Sequence, residues 1–273
     1  MLSDANMVFT KDNLDTYLKE LAKEFRKLNG KAMPAELILI GGAAILTSYG
    51  FRETTTDIDA VIHAASSMKD AINRVGDRYG LPNGWLNADF VRTDSYSARL
   101  PEVSVPYKTF SDVLSIRTIS AEYLIAMKLR SGRRYKNDFS DILGILVEHE
   151  KRDLPITFEA VEHAIQKLYG GWGKVPPDAK GFIQDAMRNG NYAEVYASVH
   201  EEEKQSKNIL IQFEKDYPNT LADSNANDIL KTLKARKQEA RKESVAAQLK
   251  KPADTPVPAE KKQVRKKSRD MER

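Results

Sequence analysis

The 273-residue sequence contains no cysteine, which excludes disulfides, thiolate metal sites and cysteine nucleophiles. No stretch approaches the roughly 18 uninterrupted apolar residues of a transmembrane helix. The first residues also lack the basic and then apolar pattern of a secretory signal. We therefore expect a soluble, cytoplasmic protein with no membrane association, in which any bound metal has oxygen or imidazole ligands. The four histidines are scattered along the chain and predict no zinc site.

Charge is distributed unevenly along the chain. The formal net charge is +4, but residues 231–273 contain 15 Lys or Arg and six Asp or Glu, which is a net charge of +9, whereas residues 1–230 carry −5. A basic segment of this kind favours a polyanionic partner such as RNA, through an attraction that salt weakens. The alternative is a solubilising, disordered end.

Hydrophobic spacing predicts an α/β protein. Short buried strands are expected at 36–40 and 57–64, with a helix at 43–50 between them. Strand-like segments follow at 98–107 and 113–119, and the prolines of the first suggest an edge strand. Amphipathic spacing predicts further helices at 11–29, 66–80, 121–132, 138–149, 157–169, 178–188, 191–214 and 226–250.

Two aspartates stand one residue apart at the start of the second predicted strand. Side chains alternate along a strand, so Asp57 and Asp59 would point to one face with Cα atoms roughly 6.5 to 7 Å apart. Carboxylates held so close repel each other unless a cation neutralises them, and Mg²⁺ or Mn²⁺ with its oxygen ligands suits this role. The alternative is an exposed strand end with solvated aspartates.

A glycine pair precedes these aspartates. Without Cβ atoms, Gly41 and Gly42 let a phosphate approach the backbone, and a helix that starts just after them would direct free N–H groups at the anion. A triphosphate could then face both the glycines and the metal carboxylates.

These residues resemble a known family. Gly41-Gly42 followed by Arg52-x-Thr54-x-Thr56-Asp57-Ile58-Asp59 is similar to the signature of the DNA polymerase β-like nucleotidyltransferases, in particular the minimal bacterial group that includes AbiEii-like toxins of toxin–antitoxin systems. Residues 122–146, EYLIAMKLRSGRRYKNDFSDILGIL, resemble the second motif block of that group. The resemblance implies a small mixed sheet flanked by helices, and an NTP substrate bound by Gly41, Gly42, Arg52, Thr56 and Lys128.

The second block supplies further candidate residues. Lys128 lies on an apolar helix stripe, where it either reaches water or meets an anion; the resemblance implies contact with triphosphate oxygens. Asp138 and Asp141 open the next helix, where carboxylates also serve as simple caps. The resemblance implies that one of them, preferentially Asp141, holds Lys128, the nucleotide or the acceptor. Arg52, Arg133 and Arg134 are candidate phosphate contacts, and Asp89 or Glu102 is a candidate third carboxylate.

The sequence therefore predicts a metal-dependent nucleotidyltransferase that transfers NMP from an NTP to RNA, for example tRNA, or to a protein hydroxyl. Its catalytic residues would be Asp57, Asp59, Lys128 and Asp141, and a toxin would have an antitoxin protein as partner. The alternatives are a small-molecule nucleotidyltransferase of the aminoglycoside type and a non-catalytic RNA- or partner-binding module. We expect a nucleotidyltransferase domain at 1–150, a helical region at 151–244 and a disordered basic tail at 245–273.

Overall fold

Five short strands form one mixed sheet in the order β3-β2-β1-β5-β4. The computed structural model describes residues 8–249, with side chains for residues 8–239. Central β1 pairs antiparallel with β2 and parallel with β5, while β3 runs parallel to β2 and β4 antiparallel to β5. The strands are β1 (Ala35–Leu39), β2 (Ile58–His63), β3 (Leu86–Asn87), β4 (Ser104–Phe110) and β5 (Leu114–Ile119).

Helices flank this sheet, which confirms the predicted α/β class and the nucleotidyltransferase type of fold. In the first part of the chain, α1 and α3 pack against each other; later, α4 contacts α5, α6 and α7, and α5 packs against α8. The helices are α1 (Lys11–Asn29), α2 (Gly41–Ser48), α3 (Ser67–Tyr79), α4 (Ala121–Ser131), α5 (Asp138–Lys151), α6 (Phe158–Tyr169), α7 (Pro177–Asn189), α8 (Tyr192–Asp216) and α9 (Ala226–Leu249).

The sequence explains α1 at both ends. Thr10 and Asn13 form a capping box, in which each side chain accepts a hydrogen bond from the backbone N–H of the other. Gly30, with φ 72°, ends the helix. Leu14, Leu18 and Leu21, which are spaced three and four residues apart, are fully buried in the core.

The edge position of β4 follows from its composition. Pro106 lies within the strand, where its missing N–H is tolerated only at a sheet edge, and the strand pairs on one side alone, with β5. The predicted strand at 98–107 is confirmed only from Ser104, because Leu100–Val103 form a 3₁₀ turn that contains Pro101.

The described chain divides into two compact units after Asn227. Helices α5 and α8 pack together in the first unit, so residues 151–227 share that unit with the sheet. The domain limits expected from the sequence stay a prediction. Helix α9 extends to Leu249, and the rest of the predicted tail, residues 250–273, lies outside the described residues.

No helix within the described residues combines the length and the apolar character needed to cross a membrane.

Candidate active site

The chain turns sharply from β1 into α2 at Gly41. This residue has φ 57°, and Ile40 before it is extended and makes no side-chain hydrogen bond to the helix. Among the residues described, no side chain caps the first N–H groups of α2, and no acid occupies its first turn. An uncapped helix N-terminus attracts an anion through its N–H groups and its dipole. The bend therefore has the properties of a phosphate site.

Gly42 is required by the side chains packed against it. A Cβ atom at this position would lie 2.5 Å from Thr55 Oγ1 and 2.9 Å from Arg52 Nη2. Packing thus gives the second glycine a structural role in addition to the predicted access for a phosphate. It also places the Arg52 guanidinium beside the first turn of α2.

Asp57 and Asp59 lie at the start of β2, next to this bend. Asp57 precedes the strand and is exposed, whereas Asp59 lies in the strand and is half-buried. Asp59 Oδ2 is 3.7 Å from the position of a Cβ atom on Gly41. Burial, and then the nearby charge of Asp57, raises the pKa of Asp59. The two carboxylates therefore interact with each other, and that of Asp59 adjoins Gly41.

Asn87, which the sequence did not indicate, lies on the other side of Asp59. The two residues face each other in the short pairing between β2 and β3. A hydrogen bond from the Asn87 side chain lowers the pKa of Asp59, against the larger effect of burial. A strand of two residues has no periodicity from which this neighbour could have been predicted.

Neither candidate for the third carboxylate forms a metal cluster with the pair. Asp89 pairs with Arg92 at 3.7 Å, and Glu102 pairs with Lys167 at 3.6 Å. Among the residues that the structure describes, no group of three or more His, Cys, Asp or Glu could hold a metal ion. A divalent cation here would therefore take two protein carboxylates and complete its coordination with phosphate oxygens and water.

The second motif block forms a buried ionic network between α4 and α5. Lys128 Nζ lies 2.9 Å from Asp138 Oδ1 and 2.8 Å from Asp141 Oδ2. Arg133 Nε pairs with Asp138 at 2.9 Å, and Arg52 Nη1 pairs with Asp141 at 2.6 Å. The structure thus brings Lys128 together with both acids, and three cations hold two carboxylates.

Opposite charges keep this network ionised although it is buried. Burial disfavours the charged form of Lys128, but the carboxylates of Asp138 and Asp141 raise its pKa above the ordinary value. Burial also disfavours the charged form of Asp138, but Lys128 and Arg133 hold its pKa far below the ordinary value. Removal of one partner would leave a buried charge uncompensated, which is strongly destabilising.

Other predicted phosphate contacts lie in different surroundings. The Lys128 side chain is 10% exposed and its ammonium contacts protein carboxylates, so direct contact with a triphosphate stays a prediction. Arg134 Nη2 lies 3.6 Å from Asp178, in α7. Thr56 is exposed, and its hydroxyl is 3.5 Å from Asp57 Oδ1.

The N-terminus of α5 is capped from α8. Glu203 accepts hydrogen bonds from the Phe139 N–H at 2.7 Å, from the Ser140 N–H at 3.3 Å and from the Ser140 hydroxyl. Burial raises the pKa of Glu203 to about 7, although these donors lower it. Capping, the simple alternative for Asp138 and Asp141, is therefore supplied by a residue 63 to 64 positions later in the chain.

One family match covers both parts of this site. The family described as "Nucleotidyltransferase of unknown function (DUF6036)" matches residues 16–166, which is more than half of the chain. No curated protein and no solved structure matches the chain significantly. The matched segment contains the glycine pair, the Asp57 and Asp59 pair and the Lys128 network. The chain therefore belongs to the nucleotidyltransferase family DUF6036.

Proposed function

We propose that the protein is a metal-dependent nucleotidyltransferase that transfers a nucleoside monophosphate from an NTP to a hydroxyl of an RNA acceptor, such as a tRNA end. The observation that carries this proposal is the interacting Asp57 and Asp59 pair beside the uncapped N-terminus of α2. Family membership supports the transferase chemistry. The +9 charge of residues 231–273 supports a nucleic-acid acceptor.

The Asp57 and Asp59 carboxylates fit a divalent cation. They offer the oxygen ligands that Mg²⁺ and Mn²⁺ prefer, and the charge of Asp57 already raises the pKa of Asp59, a repulsion that a cation would relieve. Held by this pair and by substrate phosphates, such an ion would neutralise negative charge on the phosphoryl oxygens. The N–H groups that follow Gly41 would bind neighbouring phosphate oxygens.

The proposed reaction forms one P–O bond and breaks another. The oxygen of the acceptor hydroxyl attacks the α-phosphorus of the NTP, the bond from that phosphorus to the oxygen bridging the β-phosphate breaks, and pyrophosphate leaves with the electron pair. The hydroxyl proton passes to solvent. Positioning and electrostatic stabilisation are what the chain supplies to such a transfer.

Arg52, Lys128 and Asp141 act in this proposal as positioning residues. Arg52 lies beside Gly42 and is held by Asp141, which also pairs with Lys128. The network thereby fixes a guanidinium next to the proposed phosphate site. Direct contact of Lys128 with the departing pyrophosphate, which the family resemblance implies, would require Asp138 or Asp141 to release its ammonium.

Label transfer tests this proposal. Each labelled NTP is incubated with the protein, Mg²⁺ and total RNA or cell lysate, beside the double variant Asp57→Asn/Asp59→Asn. We expect labelled RNA that depends on Mg²⁺ and on the two aspartates. Label on protein would identify a protein hydroxyl as the acceptor instead, and transfer that survives in the double variant would refute the mechanism.

A small cationic acceptor is the second candidate, because residues 1–230 carry −5 and an acidic surface attracts cations. Removal of residues 250–273 separates the two candidates. An RNA acceptor predicts weaker and less salt-sensitive binding after this deletion, whereas a small-molecule acceptor predicts no change. RNA binding without any label transfer would instead indicate a non-catalytic binding module.

The resemblance to AbiEii-like toxins supports a role in a toxin–antitoxin system, with an antitoxin protein as partner. Overproduction of the wild-type protein would then arrest growth, and the Asp57→Asn/Asp59→Asn variant would not. Equal growth of the two strains would count against the toxin role while leaving the transferase proposal in place.

A further inference from the structure

A cavity of about 260 Å³, which Arg52 helps to line, lies beside α8, and we call it the α8 pocket. Its walls are the segment after α2, which contributes Phe51 and Thr54, the start of α5, which contributes Asn137, and two residues of α8, Tyr196 and His200. Of the site residues described above, Arg52 and Asp141 line this pocket.

Arg52 connects the α8 pocket with the proposed phosphate site. Its Nη1 donates to Asp141 Oδ2 at 2.6 Å, and its Nη2 lies 2.9 Å from the position of a Cβ atom on Gly42. One guanidinium therefore forms a wall of the pocket and also lies beside the first turn of α2. A ligand that extended past Arg52 would reach from the pocket to the glycine pair.

Three of the residues that line the pocket have rings, namely Phe51, Tyr196 and His200. The rings of Tyr196 and His200 are parallel within 1°, with centroids 6.0 Å apart, and Phe51 meets Tyr196 edge-on at 6.1 Å. The Tyr196 hydroxyl can donate and accept hydrogen bonds. Rings of this kind stack on any base, because every base has a π face.

Polar side chains without hydrogen bonds in the described part of the chain also line the pocket. Within the described residues, the side chains of Glu53, Thr54 and Asn137 make no hydrogen bond or ion pair. They offer a carboxylate, a hydroxyl and an amide, which together can donate to and accept from the edge of a heterocycle. Aromatic faces combined with free amide and hydroxyl groups are typical of sites that bind unstacked bases.

The volume limits the size of the ligand. Pockets for drug-sized ligands measure roughly 300 to 1,000 Å³, so a cavity of about 260 Å³ holds one base with its sugar rather than a whole nucleoside triphosphate. The phosphates of such a ligand would have to lie outside the pocket, past Arg52.

We propose that the α8 pocket is a nucleoside subsite, which takes a base and its ribose and directs the attached phosphate towards Gly41 and Gly42. The nucleoside is either that of the incoming NTP or the terminal nucleoside of an RNA acceptor. In either case the role of the subsite in a reaction rests on the proposed function, whereas nucleoside binding itself does not. Tyr196 and His200 lie beyond the matched residues 16–166, so α8 would set specificity in this chain.

Nucleoside binding is measured on the intact Asp57→Asn/Asp59→Asn chain without Mg²⁺, so that the result does not depend on catalysis. Adenosine, guanosine, cytidine and uridine are each titrated by calorimetry, with ribose 5-phosphate and pyrophosphate as probes that lack a base. We expect at least one nucleoside to bind and neither of the other probes to displace it. Absence of binding by all four nucleosides would overturn the proposal.

Matched variants locate the binding. Tyr196→Ala should weaken nucleoside binding by about tenfold, because stacking on one aromatic ring contributes about 1–3 kcal/mol, whereas Tyr217→Ala, at the exposed end of the same helix, should not. If Tyr196→Ala fails to fold, Thr54→Val, which removes a hydroxyl without changing shape, should weaken binding several-fold. Unchanged affinity in the variant that folds would overturn the proposal.

Steady-state kinetics of label transfer separate the two sources of the nucleoside. A higher KM for NTP in Tyr196→Ala identifies the pocket as the site of the NTP base, and a higher KM for RNA identifies it as the acceptor site. Nucleoside binding without any label transfer would retain the subsite and reject the proposed reaction. Label transfer with normal KM values for both substrates in Tyr196→Ala would reject the subsite alone.

Discussion

Two acidic pairs in the same unit differ in what neutralises them. Asp138 and Asp141 are buried, and three cations of the chain hold them, at 2.6 to 2.9 Å. At Asp57 and Asp59, by contrast, one carboxylate raises the pKa of the other. Side chains of the protein therefore neutralise the first pair, whereas the second pair suits a cation bound from solution.

The largest effect should follow from neutralising Asp57 and Asp59, which we call the outer pair. Asp57→Asn/Asp59→Asn should lower label transfer by about 10³-fold or more, since losing even one preorganised electrostatic group costs about 10²–10³. Its thermal unfolding should stay at the wild-type temperature or above, because the substitution removes a repulsion. Asp185→Asn, an exposed residue of α7, is the control for both measurements.

Asp138 and Asp141, which we call the inner pair, should show the opposite behaviour. Lys128→Met would leave Asp138 and Asp141 buried with fewer cations, and we expect a loss of about 3–5 kcal/mol in the free energy of unfolding, measured with urea. Lys23→Met removes an exposed ion pair with Glu20 and should cost at most about 1 kcal/mol. Equal stability of the two variants would contradict the contrast between the pairs.

A pH-dependent effect should come from Glu203, which caps the helix of the inner pair. Its pKa rises from 4.5 to about 7 in the folded protein, so the folded state binds the proton more tightly. Its contribution to stability is present below about pH 4.5 and is lost as the pH rises through 7, by up to about 3 kcal/mol.

Glu203→Gln has no such titration. Its free energy of unfolding relative to wild type should therefore improve between pH 5 and pH 8, while Glu201→Gln, an exposed neighbour on α8, should keep a constant difference from wild type. Parallel pH profiles for wild type and Glu203→Gln would show that burial does not perturb this carboxyl.

The smallest effect concerns the packing of Gly42 against Arg52, whose guanidinium is held by Asp141 of the inner pair. Gly42→Ala would place a Cβ atom 2.5 Å from Thr55 Oγ1 and 2.9 Å from Arg52 Nη2, and such overpacking costs about 1–3 kcal/mol. Gly50→Ala, with no atom within 4 Å of its Cβ position, should have little effect on urea unfolding. If the two alanine variants are equally stable, Gly42 is not needed for packing.

The parts of the site that are close in sequence could be predicted. The strand, turn and helix around Gly41, together with the aspartates of β2, follow from local periodicity and from turn residues. The apolar stripe of α4 singled out Lys128, and the family resemblance pointed to an acid near it. Neither the stripe nor the resemblance could show that both Asp138 and Asp141 would pair with Lys128.

Distant partners could not be predicted. Arg52 and Asp141 are 89 positions apart in the sequence, and Glu203 is 64 positions from Phe139, whose N–H donates to it. The first pair depends on how the segment after α2 meets α5, and the second on how α8 packs against α5. Nothing in the local pattern of α8 marks Glu203 or Tyr196 as part of a site. His200 was one of several scattered histidines until the fold placed it in the α8 pocket.

The cap that α8 provides to α5 bears on how far the protein could be shortened. A fragment trimmed to residues 16–166 would keep both acidic pairs but lose Glu203, and the N–H groups of Phe139 and Ser140 would have no acceptor from α8. The apolar surface of α5 beneath that helix would also meet water. A minimal fragment intended for crystallisation should therefore include α8, which caps and covers α5, even though the family match ends well before this helix.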